Sequence, residues 1–587
     1  MAPFLRGLFI AVLSFSILVL PSSRPGNSGT SADQFLSKGR EGIEGAIDRI
    51  IGEMTPEEKV GQLFMVGFHN GEQPAFEMNP QIRTLIRDEK VGSVILFDRN
   101  LQSPRQVAEL TNDMQRLALS GSLGLPLLIS IDQEGGKVVR MREGVTVFPG
   151  GMALGAAGDP SITRLSGRVV GSELRAMGIN MNLAPVLDVN NNPKNPVIGA
   201  RSFASDPKLV AWMASAQIRG YHDGTVLTVA KHFPGHGDTA TDSHVDLPAV
   251  PHSLDRLNRV ELVPFKEVLD ETDAVMSAHI TFPAIEGTPG LPGTLSKKVL
   301  TGLLRERLGF KGVIITDDME MGAIVDRFGA EEAAVRAIKS GADIVLVSHD
   351  LSRQQASIRA VREAVAKGEI SEERIDRSLR RILRLKMKRM GGTSVASQPL
   401  VPTENIRERV GTKENGSAAE QAARAALTLV RDPQHRLPLN PSQSKQLLVV
   451  SSVGAEPMGS FFSDLGFSVR VRTLDTDPGP DDIREVTKQA AGVDSVIIGT
   501  TRAEANQGQA ELIRRLEAGG IPVIALGLDT PYEVKALPDS TPYLALYSAT
   551  PESLKAAAEA LVGETPIRGK LPVEIPGRYP VGHGLKR

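Results

Sequence analysis

There is no cysteine among the 587 residues, which excludes disulfides, thiolate metal sites, cysteine nucleophiles and a lipid anchor on an N-terminal cysteine. Nor is there a surplus of either charge: 67 Lys and Arg against 69 Asp and Glu leave a formal charge of -2. Nucleic-acid binding usually shows a basic field, so no nucleic-acid partner is expected. No apolar run beyond residue 20 is long enough to span a bilayer. Internal repeats and low-complexity blocks are absent as well. What is present is an ordinary globular composition, 41% hydrophobic and 23% charged. The chain is too long for one ordinary core, and about 150 residues per domain suggests roughly two to four.

At the N-terminus Arg6 precedes the apolar run Gly7 to Leu20, which Pro21-Ser22-Ser23 breaks. A run this short reads as the hydrophobic segment of a signal peptide within residues 1–30. It is apolar on every face, unlike a half-buried helix. No clean A-x-A cleavage site follows, which leaves an uncleaved anchor as the alternative. Export is expected in either case, to an extracellular, periplasmic or cell-wall location.

From about residue 38, apolar runs of β type alternate with amphipathic helical runs. The strands are expected at Val60–Phe68, Val91–Phe97, Pro126–Asp132, Asn180–Asp188, Val226–His232, Ala274–Ile280, Val313–Asp317 and Ala342–His349. Helical patterns follow them, among them Gln106–Ala118, Lys208–Tyr221, Lys297–Leu308 and Glu331–Ser340. Continuously apolar strands alternating with helices demand a parallel sheet buried on both faces. Eight such units predict a (β/α)8 barrel, assigned to 38–390. A Gly/Ser/Pro-containing stretch opens a linker at 391–420, and 421–587 alternates again. There the strands Gln446–Val453, Ser468–Thr473, Ser495–Thr500, Pro522–Leu528 and Tyr543–Ser548 predict a smaller, open, doubly wound α/β sandwich domain of flavodoxin type. None of its turns carries a Gly-rich nucleotide fingerprint.

Barrel enzymes place their chemistry at the C-terminal ends of the strands. Six consecutive strands here end in Asp132, Asp188, Lys231-His232, His279, Asp317-Asp318 and His349, which predicts one shared active-site mouth. The loop Lys231–Pro248 (KHFPGHGDTATDSHVDLP) is the densest segment, and its Gly and Pro deny it a helix. Within it, Asp242 can accept the N–H of His244, orient the ring and support its charged form, so the pair can donate and recover a proton. A D-S-H run on its own is more simply a satisfied turn; its place at a barrel mouth favours chemistry. His232 and His236 would suit zinc only if a helix brought them together, and Pro234-Gly235 lies between them. No H-E-x-x-H and no carboxylate cage occurs, so no metal and no cofactor is expected. A carboxylate at the Asp317-Asp318 strand end can attack an anomeric carbon; one of the two would face the mouth and the other cap the next helix. The residues alone leave that choice open. Arg140 and Arg201, with Lys and Asp around one cavity, suit sugar hydroxyls.

At these residues the chain resembles glycoside hydrolase family 3, in its bacterial β-N-acetylglucosaminidase branch of two-domain type. The resemblance rests on IDQEGGKVVR, NLAPVLDV, GARSF, KHFPGHGD with its trailing DSH and LP, and ITDDMEM, in that order from Asp132 to Met321. It continues more weakly through Ala422–Val430 and Gly569–Pro576. The resemblance implies Asp317 as nucleophile, His244 with Asp242 as acid/base, and Asp132, Arg140, Arg201, Lys231 and His232 as sugar-binding. One departure is Lys137, where many relatives have Arg. The implied activity is retaining, exo-acting removal of terminal β-linked N-acetylglucosamine, from glycans or muropeptides, by a protein acting as a monomer. The alternatives are a β-GlcNAc phosphorylase or another β-glycosidase on this scaffold, a metal-dependent hydrolase, and an inactive cell-wall binding protein.

Overall fold

The computed structural model describes residues 42–389, 399–442 and 445–587. The expected signal peptide or anchor lies outside them. Of the linker expected at 391–420, residues 391–398 also lie outside, and a helix, Lys413–Ala426, begins within the remainder.

Eight parallel strands form the first sheet: β1 (Phe64–Val66), β2 (Ser93–Leu96), β3 (Leu128–Ile131), β6 (Met181–Asn182), β7 (Leu227–Phe233), β8 (Ala274–Ser277), β9 (Val313–Ile315) and β10 (Val345–Val347). A small antiparallel hairpin, β4 (Gln133–Gly135) and β5 (Val138–Val139), hangs from the end of β3. The order β10-β1-β2-β3-β6-β7-β8-β9 closes through a bridge between Ile315 and Ile344. Seven of the expected barrel strands are found within their predicted windows, and β7 runs one residue past its own, to Phe233. The strands are buried throughout, because a barrel lined inside by side chains and outside by helices leaves no face for water.

Several outer helices start on the same local signal, a capping side chain followed by proline. Asn79-Pro80, Ser103-Pro104, Asp159-Pro160 and Asp206-Pro207 each place an acceptor on an orphan N–H, while proline fills a position that needs no donor. The helices Pro160–Ala176 and Pro207–Asp223 pack closely because Gly167 lacks a side chain; a methyl there would lie 2.5 Å from the carbonyl of Gln217.

The second sheet comprises β11 (Thr428–Arg431), β12 (Gln446–Ser451), β13 (Ser468–Thr473), β14 (Ser495–Thr500), β15 (Val523–Gly527) and β16 (Tyr543–Ala545), in the order β11-β16-β15-β14-β12-β13. Its five parallel strands follow the flavodoxin-type order. The sequence reading omitted β11, which runs antiparallel along β16. The two domains share a core: Met152, Ala153, Ala156 and Ala200 of the barrel cluster with Val430, Tyr532, Leu571 and Val573 of the second domain. Backbone bonds cross between them from Lys570 N–H to Ala156 and from Ser205 N–H to Pro572.

Candidate active site

A cavity of about 670 Å3 opens at the C-terminal ends of the barrel strands, of the size that takes a small ligand. Asp132, Arg140, Arg201, Lys231, His232, His244 and Asp317 all line it. Asp242 lies behind His244. The residues at two of the six predicted strand ends do not reach the cavity: Asp188 and His279 are fully buried beneath it and bond to residues that do. Asp188 is taken up by the His232 ring and the His236 N–H, and His279 by Thr294 Oγ1 and the Asp318 carbonyl.

One wall of the cavity is built on Glu134, which lies inside IDQEGGKVVR but is not among the residues expected to bind the sugar. Arg201 donates to it through two N–H groups at 2.8 and 2.9 Å, and Lys231 Nζ lies 2.8 Å away. Lys231 also donates to Asp132 at 2.6 Å. Burial alone would raise the Glu134 carboxyl, but Arg201 and Lys231 hold it far below the usual carboxylate range. Burial likewise works against the Lys231 ammonium, and Asp132 and Glu134 more than offset it, so its pKa is raised. Glu134 follows Asp132 by two residues on β4, so an alternation rule applied to the hairpin would have found it. Beyond Arg140, Phe97 carries the guanidinium of Arg99 4.4 Å from its ring centroid and the His349 ring at 5.4 Å.

His232 is fixed from below. Its Nδ1–H donates to Asp188 at 2.7 Å, and Asp188 also accepts from the His236 N–H at 2.6 Å. His236 is used on both ring nitrogens, by Thr239 Oγ1 at 2.8 Å and Ser243 Oγ at 3.1 Å. Burial, then repulsion from His232, brings its pKa down to about 4, so it is a neutral brace at physiological pH. The rings of His232 and His236 meet edge to face, and the partners already on their nitrogens leave no paired lone pairs for a metal. Among the described residues Asp238, His252 and Glu261 do bring ligand atoms within 4.8 Å of one another. There Arg256 already donates to both oxygens of Glu261 and His252 bonds to Asp238, so a cation would have to displace existing partners.

The loop after β7 reaches the tip of β9. Asn195 Nδ2 donates to the carbonyls of His236 and Gly237, at 2.8 and 3.1 Å. At its far end the loop docks on the helix that follows β9: Gly322 N–H donates to His244 O at 3.3 Å and Ala323 N–H to Ser243 O at 3.4 Å. Asp242 accepts both the backbone N–H of His244 at 2.8 Å and its ring Nδ1–H at 2.7 Å. The His244 side chain stays 63% exposed, which leaves Nε2 free to meet an incoming group.

The adjacent carboxyls Asp317 and Asp318 are shifted in opposite directions. Burial tends to raise Asp317, but His279, His232, the Asp318 N–H and His244 together bring it below the ordinary value. Asp318 lines the cavity too but bonds to Ser348, His349 and the Glu320 N–H, and burial with repulsion from Glu320 and Asp317 pushes it up to about 7. One environment favours the anion and the other the acid.

Residues 55–385 match the model of the glycosyl hydrolase family 3 N-terminal domain. A solved glycoside hydrolase family 3 β-N-acetylglucosaminidase from Paenibacillus sp. str. FPU-7 is 41% identical, covering 89% of this chain and 99% of that one, with a TM-score of 0.83. Beta-hexosaminidase A of Pseudoalteromonas piscicida is 36% identical over 368 residues, 57% of this chain. The chain spans 61% of that relative's length. A beta-hexosaminidase of Alkalilimnicola ehrlichii is 37% identical over 289 residues, 48% of this chain and 80% of its own. Among the described residues no helix is long and apolar enough to cross a membrane.

Proposed function

The chain belongs to glycosyl hydrolase family 3, and from that premise we propose that it is an exported, retaining exo-β-N-acetylglucosaminidase. In this reading Asp317 is the nucleophile, His244 with Asp242 is the acid/base, and Asp132, Arg140, Arg201, Lys231 and His232 bind the sugar. The protonated imidazole of His244 gives its proton to the glycosidic oxygen as the C1–O bond breaks. Asp317 attacks C1 and forms a glycosyl ester. Neutral His244 then takes a proton from water, the hydroxide displaces Asp317 from C1, and the sugar leaves with its configuration retained. Two carboxyls are the usual pair for this chemistry; here a histidine held by a carboxylate takes the second part.

The observation that carries the reading is the convergence of two distant segments on one cavity. An anionic aspartate at the tip of β9 and an oriented imidazole from the loop after β7 both line it. A chromogenic β-GlcNAc glycoside is expected to be cleaved, and Asp317→Ala and His244→Ala to lose about a thousandfold or more in rate. Near-normal turnover by Asp317→Ala would overturn the nucleophile assignment. Product analysis in phosphate and in a non-phosphate buffer separates the neighbouring chemistries: free GlcNAc in both is expected, and GlcNAc-1-phosphate would mark a phosphorylase.

A further inference from the structure

A narrow notch between the two domains shares Val197 with the lining of the cavity. Its barrel side includes Lys137, on the turn between β4 and β5, and its second-domain side includes Arg502 and Asp529. Arg502 follows β14 and Asp529 follows β15, so both stand at the carboxyl ends of parallel strands, where open α/β sheets receive ligands. The free volume is about 10 Å3, room for one water-sized group. A sugar ring cannot enter, but one oxygen of a substituent held at the mouth can.

The charges in the notch are unevenly presented. Lys137 is 58% exposed, whereas Asp529, its partner at 3.6 Å, is 10% exposed. Arg502 meets its nearest carboxylate, Glu504, only at 4.0 Å. Burial raises Glu504, which weakens it as a counter-charge. Arg502 also holds a φ of 51°, in the left-handed region that a non-glycine residue rarely adopts. Its carbonyl accepts from Ala505 and Asn506, each at 2.9 Å, so the fold sustains that conformation and fixes the side chain's origin.

We propose that this notch reads the leaving group: Arg502 and Lys137, one from each domain, take a carboxylate borne by the aglycone of the β-GlcNAc substrate. The inference rests on the glycosidase reading above and adds a specificity determinant to it. A planar guanidinium beside an ammonium matches a carboxylate through charge-assisted hydrogen bonds.

The test uses a matched pair of disaccharides, β-GlcNAc-(1→4)-N-acetylmuramic acid and the same compound with its lactyl carboxylate converted to the amide. The full-length enzyme is expected to prefer the acid about tenfold in kcat/KM, chiefly through KM, and the preference should shrink as salt rises. Arg502→Gln and Lys137→Gln should each cut that preference severalfold while leaving cleavage of the amide and of a chromogenic β-GlcNAc glycoside unchanged. Equal rates on acid and amide in the natural enzyme would overturn the proposal, as would variants that keep the full preference or lose activity on all three substrates alike. Failure of the natural enzyme to cleave any of the three would instead remove the glycosidase reading itself.

Discussion

Glu134 is the hub on which one wall of the cavity is balanced. It is the shared counter-charge of two buried cations, and its own side chain is only 6% exposed. Removing one member of such a buried set leaves the others uncompensated, a cost of about 3 kcal/mol or more. Glu134→Gln is therefore expected to lower the Tm by several degrees and to raise KM, because Arg201 and Lys231 lose their common anchor. Thermal unfolding together with kinetics on a chromogenic β-GlcNAc glycoside would check this; a variant matching the natural enzyme in both would mean that Asp132 alone holds the wall. The residue was in plain view two positions after Asp132, but sequence reading follows strand ends and so passed over a hairpin that begins beyond one. The opposite pKa shifts of Asp317 and Asp318 were likewise illegible from the residues, because they depend on His279 and His232 beside one carboxyl and Ser348 and Glu320 beside the other. His279, His232 and Ser348 lie 30 to 85 residues away in the sequence.

The decisive element is the loop after β7, which carries His244 without regular structure of its own. Its seat is the start of the helix Gly322–Phe328, and the contact depends on Gly322 having no side chain. A Cβ there would lie 2.8 Å from His244 O and 3.1 Å from Val245 O, both backbone atoms that cannot swing aside. Gly322→Ala should displace the loop and cost about ten- to a hundredfold in kcat/KM, since a shift near 1 Å in a reacting group has effects of that order. The Tm should change little, because the loop contributes few buried apolar contacts. Unaltered kinetics would show that the seat is not what positions His244. Element types were legible: all eight barrel strands and five of the six second-domain strands fall at their predicted places, β7 running one residue past its window. Their lengths were not. The run Asn180–Asp188 reads as one apolar strand, yet only Met181–Asn182 stays in the ladder. Pro185 brings no N–H to continue it, and one bridge, Val186 to Lys231, resumes pairing beyond. The tails that look like strand are the segments that leave the ladder to build the site.

At the scale of the molecule, hydrophobic patterning reveals the buried parallel sheets and hides what lies at their margins. β11 has four residues, follows directly on the helix Lys413–Ala426, and pairs along only one side with a named strand, so its period never asserts itself. The foot of the barrel hides another feature, Lys386. It lies on the last barrel helix, Glu372–Arg389, fully buried, and donates to Gln62 Oε1 at 2.8 Å and to Gly92 O at 3.0 Å, just ahead of β1 and β2. It ties that helix to the end of the barrel opposite the cavity. Burial brings its pKa from 10.5 down to about 7. Between those values the unfolded chain holds a proton that the folded chain does not, so this residue makes stability rise with pH across that interval, by about 5 kcal/mol at most. Lys386→Met keeps the length of the side chain and removes the titration. The Tm of the natural protein relative to that variant should therefore climb from pH 7 toward pH 10, while kcat/KM at neutral pH stays the same because the cavity is at the other end. A Tm difference that does not change with pH would mean that the ammonium remains charged inside the fold, compensated by the two oxygens it bonds.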